Sequence, residues 1–406
     1  MRILGVGAPL VLTVFLTTSG LLAQQGPGPV ITVPGQIRLR GEWDGRTGGT
    51  GDDAAVLSRI RVGLATRVEP WLSAFVQLQD ARAWGTEADP TEGTADQFDL
   101  HQGYLDLTKG PTTLRIGRQE VGLGDERLVG PLAWANTGRS FDGALVRREL
   151  PGGHLRAFWM TVMERDALTP TGVHPQQNEG DDADGWLLGA FFTRQVGPGP
   201  LELMLLHDRN AATDESWTAH GRLHGARGRL LFDASAAYQF GPDRGAYLFS
   251  ALLGAAVGTG GRVAAQLDYI SGDDDPLDAE RKAFHTLYPT AHAYHGYMDY
   301  FLTFPAHTAA AGLIDAVARI TVPVPAPWTL RGDLHHFSLA EDRLGDRSLG
   351  IETDIVVGRT LAPGATIEGG ASLFVPENAM GVVAPAFALG TDTATYWGYL
   401  MFTVSW

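Results

Sequence analysis

The 406-residue chain contains no cysteine. Disulfides, a structural zinc–thiolate site and a cysteine nucleophile are all excluded, so the fold draws its stability from elsewhere. Charge is scarce as well: 19% of residues are Asp, Glu, Lys or Arg, and the balance is acidic, with a formal net charge of −15. Phosphate backbones repel such a chain, which argues against nucleic acid as a partner. Past its first residues the chain has no apolar run near the roughly 20 residues that a membrane helix needs. Any bilayer-spanning structure must therefore be a closed β-barrel, which satisfies every backbone N–H and C=O internally. HExxH, GxSxG and Walker signatures are missing, and GLGDER is only a fragment of a glycine pattern outside any βα context. The sequence thus predicts no enzyme, no catalytic residues and no cofactor.

What is present points to strands. Glycine is abundant at 52 residues, and Val, Leu, Phe, Tyr and Trp occur in short pieces throughout. The start carries Arg2, an apolar stretch over residues 3–16 and small residues leading to Ala23. It reads as a secretory signal over residues 1–23, leaving 24–406 as a single barrel domain. Period-two runs bounded by Gly, Pro, Asp and Asn give about 18 candidate strands, within the range of large outer-membrane barrels. The connections alternate in length. One phase holds VEP, TKGP, LPGG, GPGP, ARG, GTGG, PVPAP and LAPG, all short; the other holds mostly long segments, including residues 123–140 and about forty residues after Ser271. An up-and-down barrel has this alternation when one rim faces the periplasm and the other faces outside, and an even strand count puts both termini on the tight-turn side.

The last segment, YWGYLMFTVSW, shows the pattern in one strand. Tyr396, Leu400, Phe402, Val404 and Trp406 share one face. Alternate side chains of a strand point to opposite faces, so this face meets lipid, with an aromatic at each interfacial girdle. The same test sends Ile37, Leu39, Ile60, Val62 and Leu64 outward and Arg38, Arg40, Arg59, Arg61, Arg115 and Arg156 inward. It also places Asp268, Asp315, Arg319, Arg331, Asp333, Glu352, Asp354 and Glu368 inside. Early strands thus contribute mainly arginines and late strands mainly carboxylates, so a field across the lumen is expected. Four guanidiniums on adjacent strands cannot shed their charge, which suits a passing carboxylate-bearing solute.

Histidine concentrates in FHTLYPTAHAYHGYMDYF, with His285, His292, His295 and Asp299. His, His and carboxylate can build a metal site, yet the spacing matches no helical zinc motif, and a polar loop folded against the pore mouth accounts for the segment equally well; no metal ligand is assigned. The acidic runs at Asp52, Asp53, Asp181, Asp182, Asp273, Asp274 and Asp275 read as solvated loop charge. An EF-hand alignment on Gly185 puts Gly180 at the first ligand position and Phe191 at the last, and fails.

GRQ at 117–119, GDERLVG at 124–130, Trp134, NTGRSFDG at 136–143 and LYPTAHAYHGYMD at 287–299 resemble the alginate-export outer-membrane proteins, and with the strand plan the similarity runs over residues 38–406. The resemblance implies an 18-stranded barrel that passes an anionic polysaccharide from periplasm to exterior through an arginine-lined constriction. Carried onto this chain, the lining is Arg38, Arg40, Arg59, Arg61 and Arg115, with Arg118, Arg127 and Arg139 of the signature region folded into the pore. It also implies outer-membrane lipid, barrel-assembly machinery that reads the terminal aromatic, and periplasmic export components as partners. The acidic second half makes this lumen less uniformly positive than a polyuronate conduit. A general or small-solute porin, an outer-leaflet barrel enzyme acting on lipid or polysaccharide, and a structural barrel with a plugged lumen stay open as alternatives.

Overall fold

The computed structural model describes residues 29–46, 53–85, 97–163, 185–210, 215–275, 277–342, 345–383 and 393–406. The expected leader over 1–23 and the acidic residues Asp52, Asp181 and Asp182 lie outside these. The strands are β1 (Val30–Thr32), β2 (Gly35–Asp44), β3 (Asp53–Glu69), β4 (Leu72–Ala83), β5 (Gln97–Lys109), β6 (Thr112–Gln119), β7 (Phe141–Leu150), β8 (Gly153–Met163), β9 (Gly185–Val196) and β10 (Gly199–Arg209). They continue as β11 (Ser216–Arg227), β12 (Leu230–Gly241), β13 (Arg244–Val257), β14 (Gly261–Ile270), β15 (Leu313–Val322), β16 (Trp328–Ser338), β17 (Ser348–Ala362), β18 (Ala365–Pro376) and β19 (Thr395–Ser405). From β2 to β19 each strand pairs antiparallel with the next, and β19 returns to β2, closing an eighteen-stranded barrel. β1 adds no stave. The ladder that pairs Gly35 with Val62 pairs Thr32 with Ala65, so β1 is the start of β2, set off at Pro34, which has no N–H to give.

Lipid-side alternation sets the faces. Leu400 and Phe402 point outward, while Trp397 and Tyr399 on the same strand are buried inside. Exposed Trp71, Trp328 and Trp406 mark the tight-turn rim, and exposed Trp43, Trp84 and Tyr396 mark the other. At these two levels an amphipathic ring touches both acyl chain and water. The tight turns use glycine where the backbone must be left-handed, as at Gly110 (φ +56°) and Gly152 (φ +76°). At the seam, Gly35 and Trp406 exchange two backbone hydrogen bonds of 3.1 Å. The Trp406 ring lies 2.1 Å from where a Cβ on Gly35 would stand, so any larger residue there would displace the ring.

The interior departs from a simple wet tube. Residues 120–140, after β6, and residues 282–312, between β14 and β15, turn into the lumen and pair with each other: Tyr288 N–H donates to Leu128 O at 2.9 Å and Gly130 N–H to Tyr288 O at 2.8 Å. Their Leu123, Leu128, Val129, Met298 and Phe301 pack on inward Met160, Leu187, Leu206, Leu248, Phe337 and Phe374 of the wall. All six wall residues lie in the half of the barrel nearer the long loops, so an apolar core fills that half. The physical reason is burial: long connections rich in Leu, Phe and Met gain by leaving water.

Lipid contact along β19 is testable. Leu400 is mid-strand, outward and flanked by Gly369 and Gly41 on its neighbours. Leu400→Arg is expected to destabilise the barrel by about 2–4 kcal/mol, and Val404→Arg near the interface by about 0–1 kcal/mol. Urea unfolding in lipid vesicles measures both, and equal costs at the two positions would contradict this placement.

Candidate functional site

The candidate site grows from the pairing of β2 with β3. Arg38 stands directly opposite Arg59, with Arg40 and Arg61 two residues away on the same inward faces. All four are under 9% exposed. Such charges stay buried only if their donors are satisfied, and residues 133–137 supply the acceptors. Arg38 donates to Ala133 O and Ala135 O, both at 2.9 Å. Arg59 donates to the same two carbonyls at 3.1 and 3.0 Å. Arg40 donates to Trp134 O at 2.8 Å, and Arg61 to Thr137 O at 3.3 Å. Asn136 fastens the segment from its other side, donating to Ser58 O at 3.1 Å and Arg82 O at 3.0 Å.

Charge compensation is uneven. Arg40 pairs with Glu42 at 2.6 Å and Arg61 with Glu120 at 3.0 Å. Among the described residues no carboxylate lies within 4.0 Å of Arg38 or Arg59, which instead bond carbonyls and the side-chain amides of Asn136 and Gln36. Burial on its own would raise the Glu120 carboxyl. The 2.7 Å hydrogen bond from His101 and the charge of Arg61 outweigh burial and hold it below the usual carboxylate range.

A ring stack continues from the arginines across the lumen. The Arg40 guanidinium lies 4.2 Å over Trp134, Trp134 stacks on His292 at 3.9 Å, His292 on Tyr297 at 4.9 Å, and Arg331 of β16 lies 5.2 Å over Tyr297. Cations thus cap both ends of an aromatic column. On either side are cavities of about 480 Å³, lined by Arg40, Arg46, Arg139, His292 and Asp299, and about 330 Å³, lined by Tyr297, Arg331, Asp354 and Glu368.

The other arginines expected to line the pore divide among several roles. Arg115 holds Asp106 with two bonds of 2.8 and 2.9 Å and lies 3.7 Å over Tyr104. Arg156 donates to Gly122 O at 3.0 Å, and both it and Arg115 line a third cavity of about 350 Å³. Arg139 ties the two inward segments together, donating to Gly130 O, Tyr288 O and Pro289 O. Arg127 crosses to the acidic wall and pairs with Asp268 at 3.0 Å. Arg118 is a correction. It shares the outward parity of Ile116, is 39% exposed and pairs with Asp142 at 2.8 Å, so it lies on the outer wall rather than in the pore. It pairs there because an isolated charge near lipid must be neutralised.

The histidine constellation is dispersed. His292 bonds Asp299 at 2.7 Å, and His295 faces Asp315. His285 accepts from Leu287 N–H, and burial pushes it down to about 4. Sequence reasoning missed the acceptors of the arginines, since main-chain carbonyls leave no signature; the only marker was a signature segment dense in small residues. The inward segments span the interior between two walls: their carbonyls meet the arginines of β2 and β3, and their Arg127 meets the carboxylates of the late strands.

Solved structures share this architecture. OccAB4 of Acinetobacter baumannii superposes with a TM-score of 0.64 at 10% identity, over 94% of this chain and 99% of that one. The outer-membrane protein OpdK of Pseudomonas aeruginosa gives 0.63 at 13%, over 92% and 99%, and OccK8 (OprE) of the same organism gives 0.60 at 13%, over 92% and 98%. At these identities the likeness is one of fold. No curated protein matches the chain. The fold and its girdles place the protein in the cell outer membrane. The model of the family described as alginate export matches residues 32–370, and this chain belongs to that alginate-export family of outer-membrane barrels.

Proposed function

We propose that this outer-membrane channel passes anionic solutes, polyuronate-like polysaccharide foremost, and that residues 133–137 stand in for the solute's carboxylates when none is bound. The observation that carries this reading is the Arg38–Arg59 pair, buried opposite one another and bonded to neutral acceptors alone. Carbonyls satisfy N–H donors but cancel no charge, so a net positive potential stays at this level of the lumen. A carboxylate that displaces Ala133 O and Ala135 O keeps the hydrogen bonds and adds charge neutralisation in the bidentate geometry that suits a guanidinium. Entry of an anion is thereby coupled to release of the segment. Arg115 and Arg156, around the cavity nearer the tight-turn rim, offer charge along the path.

One observation favours a smaller solute. With residues 120–140 and 282–312 inside the barrel, the spaces among the described residues include cavities of about 330, 480 and 350 Å³. These match the volume of single small ligands, so a small carboxylate would pass with less movement of the segments than a polymer.

Three measurements separate these roles. Arg38→Ser with Arg59→Ser removes about 1 kcal/mol or more of favourable potential for an anion, so the anion-to-cation permeability ratio in planar bilayers falls by about fivefold. A reversal potential in a salt gradient that stays where the wild type has it refutes the proposal. Asn136→Ala, which changes no charge, loosens the segment: conductance rises while selectivity is retained. Oligouronates added to the bilayer chamber are expected to reduce single-channel current through the wild type and not through the double Ser variant; equal reduction by neutral oligosaccharides would point to size and not to charge.

A further inference from the structure

The carboxylate wall holds a group of residues that the channel reading leaves without a task. Asp268 on β14 and Asp315 on β15 stand directly opposite each other on the inward face, both about 1% exposed or less. Like charges in directly opposed positions destabilise a sheet, and burial in a low-dielectric interior makes the repulsion worse. From the inward segment His295 brings its Nδ1 to 3.3 Å from Asp315 Oδ2 and 3.9 Å from Asp268 Oδ2. One atom from each of the three residues lies within 4.8 Å of the others. Donors at about 2.0–2.2 Å from a tetrahedral zinc-type ion are separated by about 3.3–3.6 Å, so His295 and the two carboxylates already approach the edges of such a polyhedron.

The surroundings are those of an oriented ligand set. His335 of β16 holds Asp315 through its Nδ1, at 2.9 and 3.0 Å from the two oxygens. Ser250 Oγ donates to Asp268 Oδ1 at 2.6 Å, Gln266 donates to both its oxygens, and Arg127 donates to Oδ2 at 3.0 Å. Groups that hold a carboxylate in this way fix a metal ligand's direction. Independently of that geometry, carboxylates outnumber arginines on this wall. Arg127 answers Asp268, and Arg319 answers Asp333 at 3.0 Å. Asp354, 2% exposed, has His335 Nε2 3.7 Å from its Oδ2 and no hydrogen bond to that oxygen, in the 330 Å³ cavity that His295 and His335 also line. Glu352, fully buried, crowds Asp354 and stands beside Gly296, the residue after His295. Buried carboxylates in such number are costly, and a dication held by Asp268 and Asp315 would offset the negative potential of this wall.

We propose that Asp268, His295 and Asp315 form a binding site for a divalent metal of the zinc class, with one imidazole nitrogen and two carboxylate oxygens as ligands and the fourth position open to the lumen. Bound there, the ion clamps the inward segment 282–312 to strands β14 and β15. This site is independent of the solute proposed above, since it is defined by the carboxylate wall and not by the arginines.

Purified full-length barrel in detergent, stripped with chelator, is titrated with Co²⁺ and with Zn²⁺. The expected result is a visible d–d band of tetrahedral intensity at one Co²⁺ per chain, displaced by Zn²⁺, together with a higher unfolding temperature in Zn²⁺. His295→Gln and Asp315→Asn abolish the band. His335→Gln, which removes only the group orienting Asp315, weakens Zn²⁺ binding by about 10–100-fold. His292→Gln, a histidine of the same segment that faces Asp299 instead, leaves the band unchanged and controls for adventitious binding and for general disturbance of the loop. No band in the wild type, or a band that survives His295→Gln, overturns the proposal. Heat-modifiable migration on gels verifies that each variant has formed the barrel, so loss of signal in a folded His295→Gln protein counts as support.

Discussion

Guanidinium groups cannot neutralise themselves by losing a proton, so an arginine buried inside a barrel must be met by acceptors. In this protein Arg38, Arg40, Arg59 and Arg61 are met by the main-chain carbonyls of residues 133–137. The rest of the interior follows from that contact. It draws residues 120–140 into the lumen, and their pairing with residues 282–312 draws the second segment in beside them. The aromatic column of Trp134, His292 and Tyr297 then bridges the arginine wall to Arg331 on the opposite side of the fill.

The bilayer supplies the other constraint. A spanning sheet cannot leave an edge unpaired, and here β19 meets β2 along its length, ending in the reciprocal Gly35–Trp406 bonds. Closure frees the inward faces from the requirement to be apolar. One half of the interior then carries charge, while the half nearer the long loops carries Met160, Leu187, Leu248, Phe337 and Phe374 under the inward segments. Two different solvents are thus imposed on one strand: lipid on its outer parity throughout, and water or packed protein on its inner parity depending on height.

Electrostatics binds the two segments to opposite walls. Residues 120–140 offer carbonyls to the arginines and Arg127 to Asp268, so a single loop answers both signs of charge. Residues 282–312 contribute His295 to the carboxylates and His292, through its ring, to the column. Charge that would otherwise produce a strong field across an empty lumen is mostly answered within the protein. Among the described residues Arg38 and Arg59, like Arg139 and Arg156, are bonded to neutral acceptors and not neutralised.

Local pattern alone determined the strand number, the alternation of tight and long connections, the seam and the parity of nearly every strand residue, because lipid exposure enforces a strict period of two that survives in any single segment. Arg38, Arg40, Arg59, Arg61, Arg115 and Arg156 were placed inside on that ground. Arg118 was assigned to the pore by motif resemblance instead, against the parity of Ile116, and parity prevailed. What only the tertiary structure decided is where the long connections go. Residues 95 apart, such as Arg38 and Ala133, meet through a main-chain oxygen that every amino acid possesses, and the opposed Asp268 and Asp315 meet His295 only after the segment between β14 and β15 has turned inward. Such contacts depend on three-dimensional closure and on neutral backbone groups, neither of which leaves a periodic trace in the order of side chains.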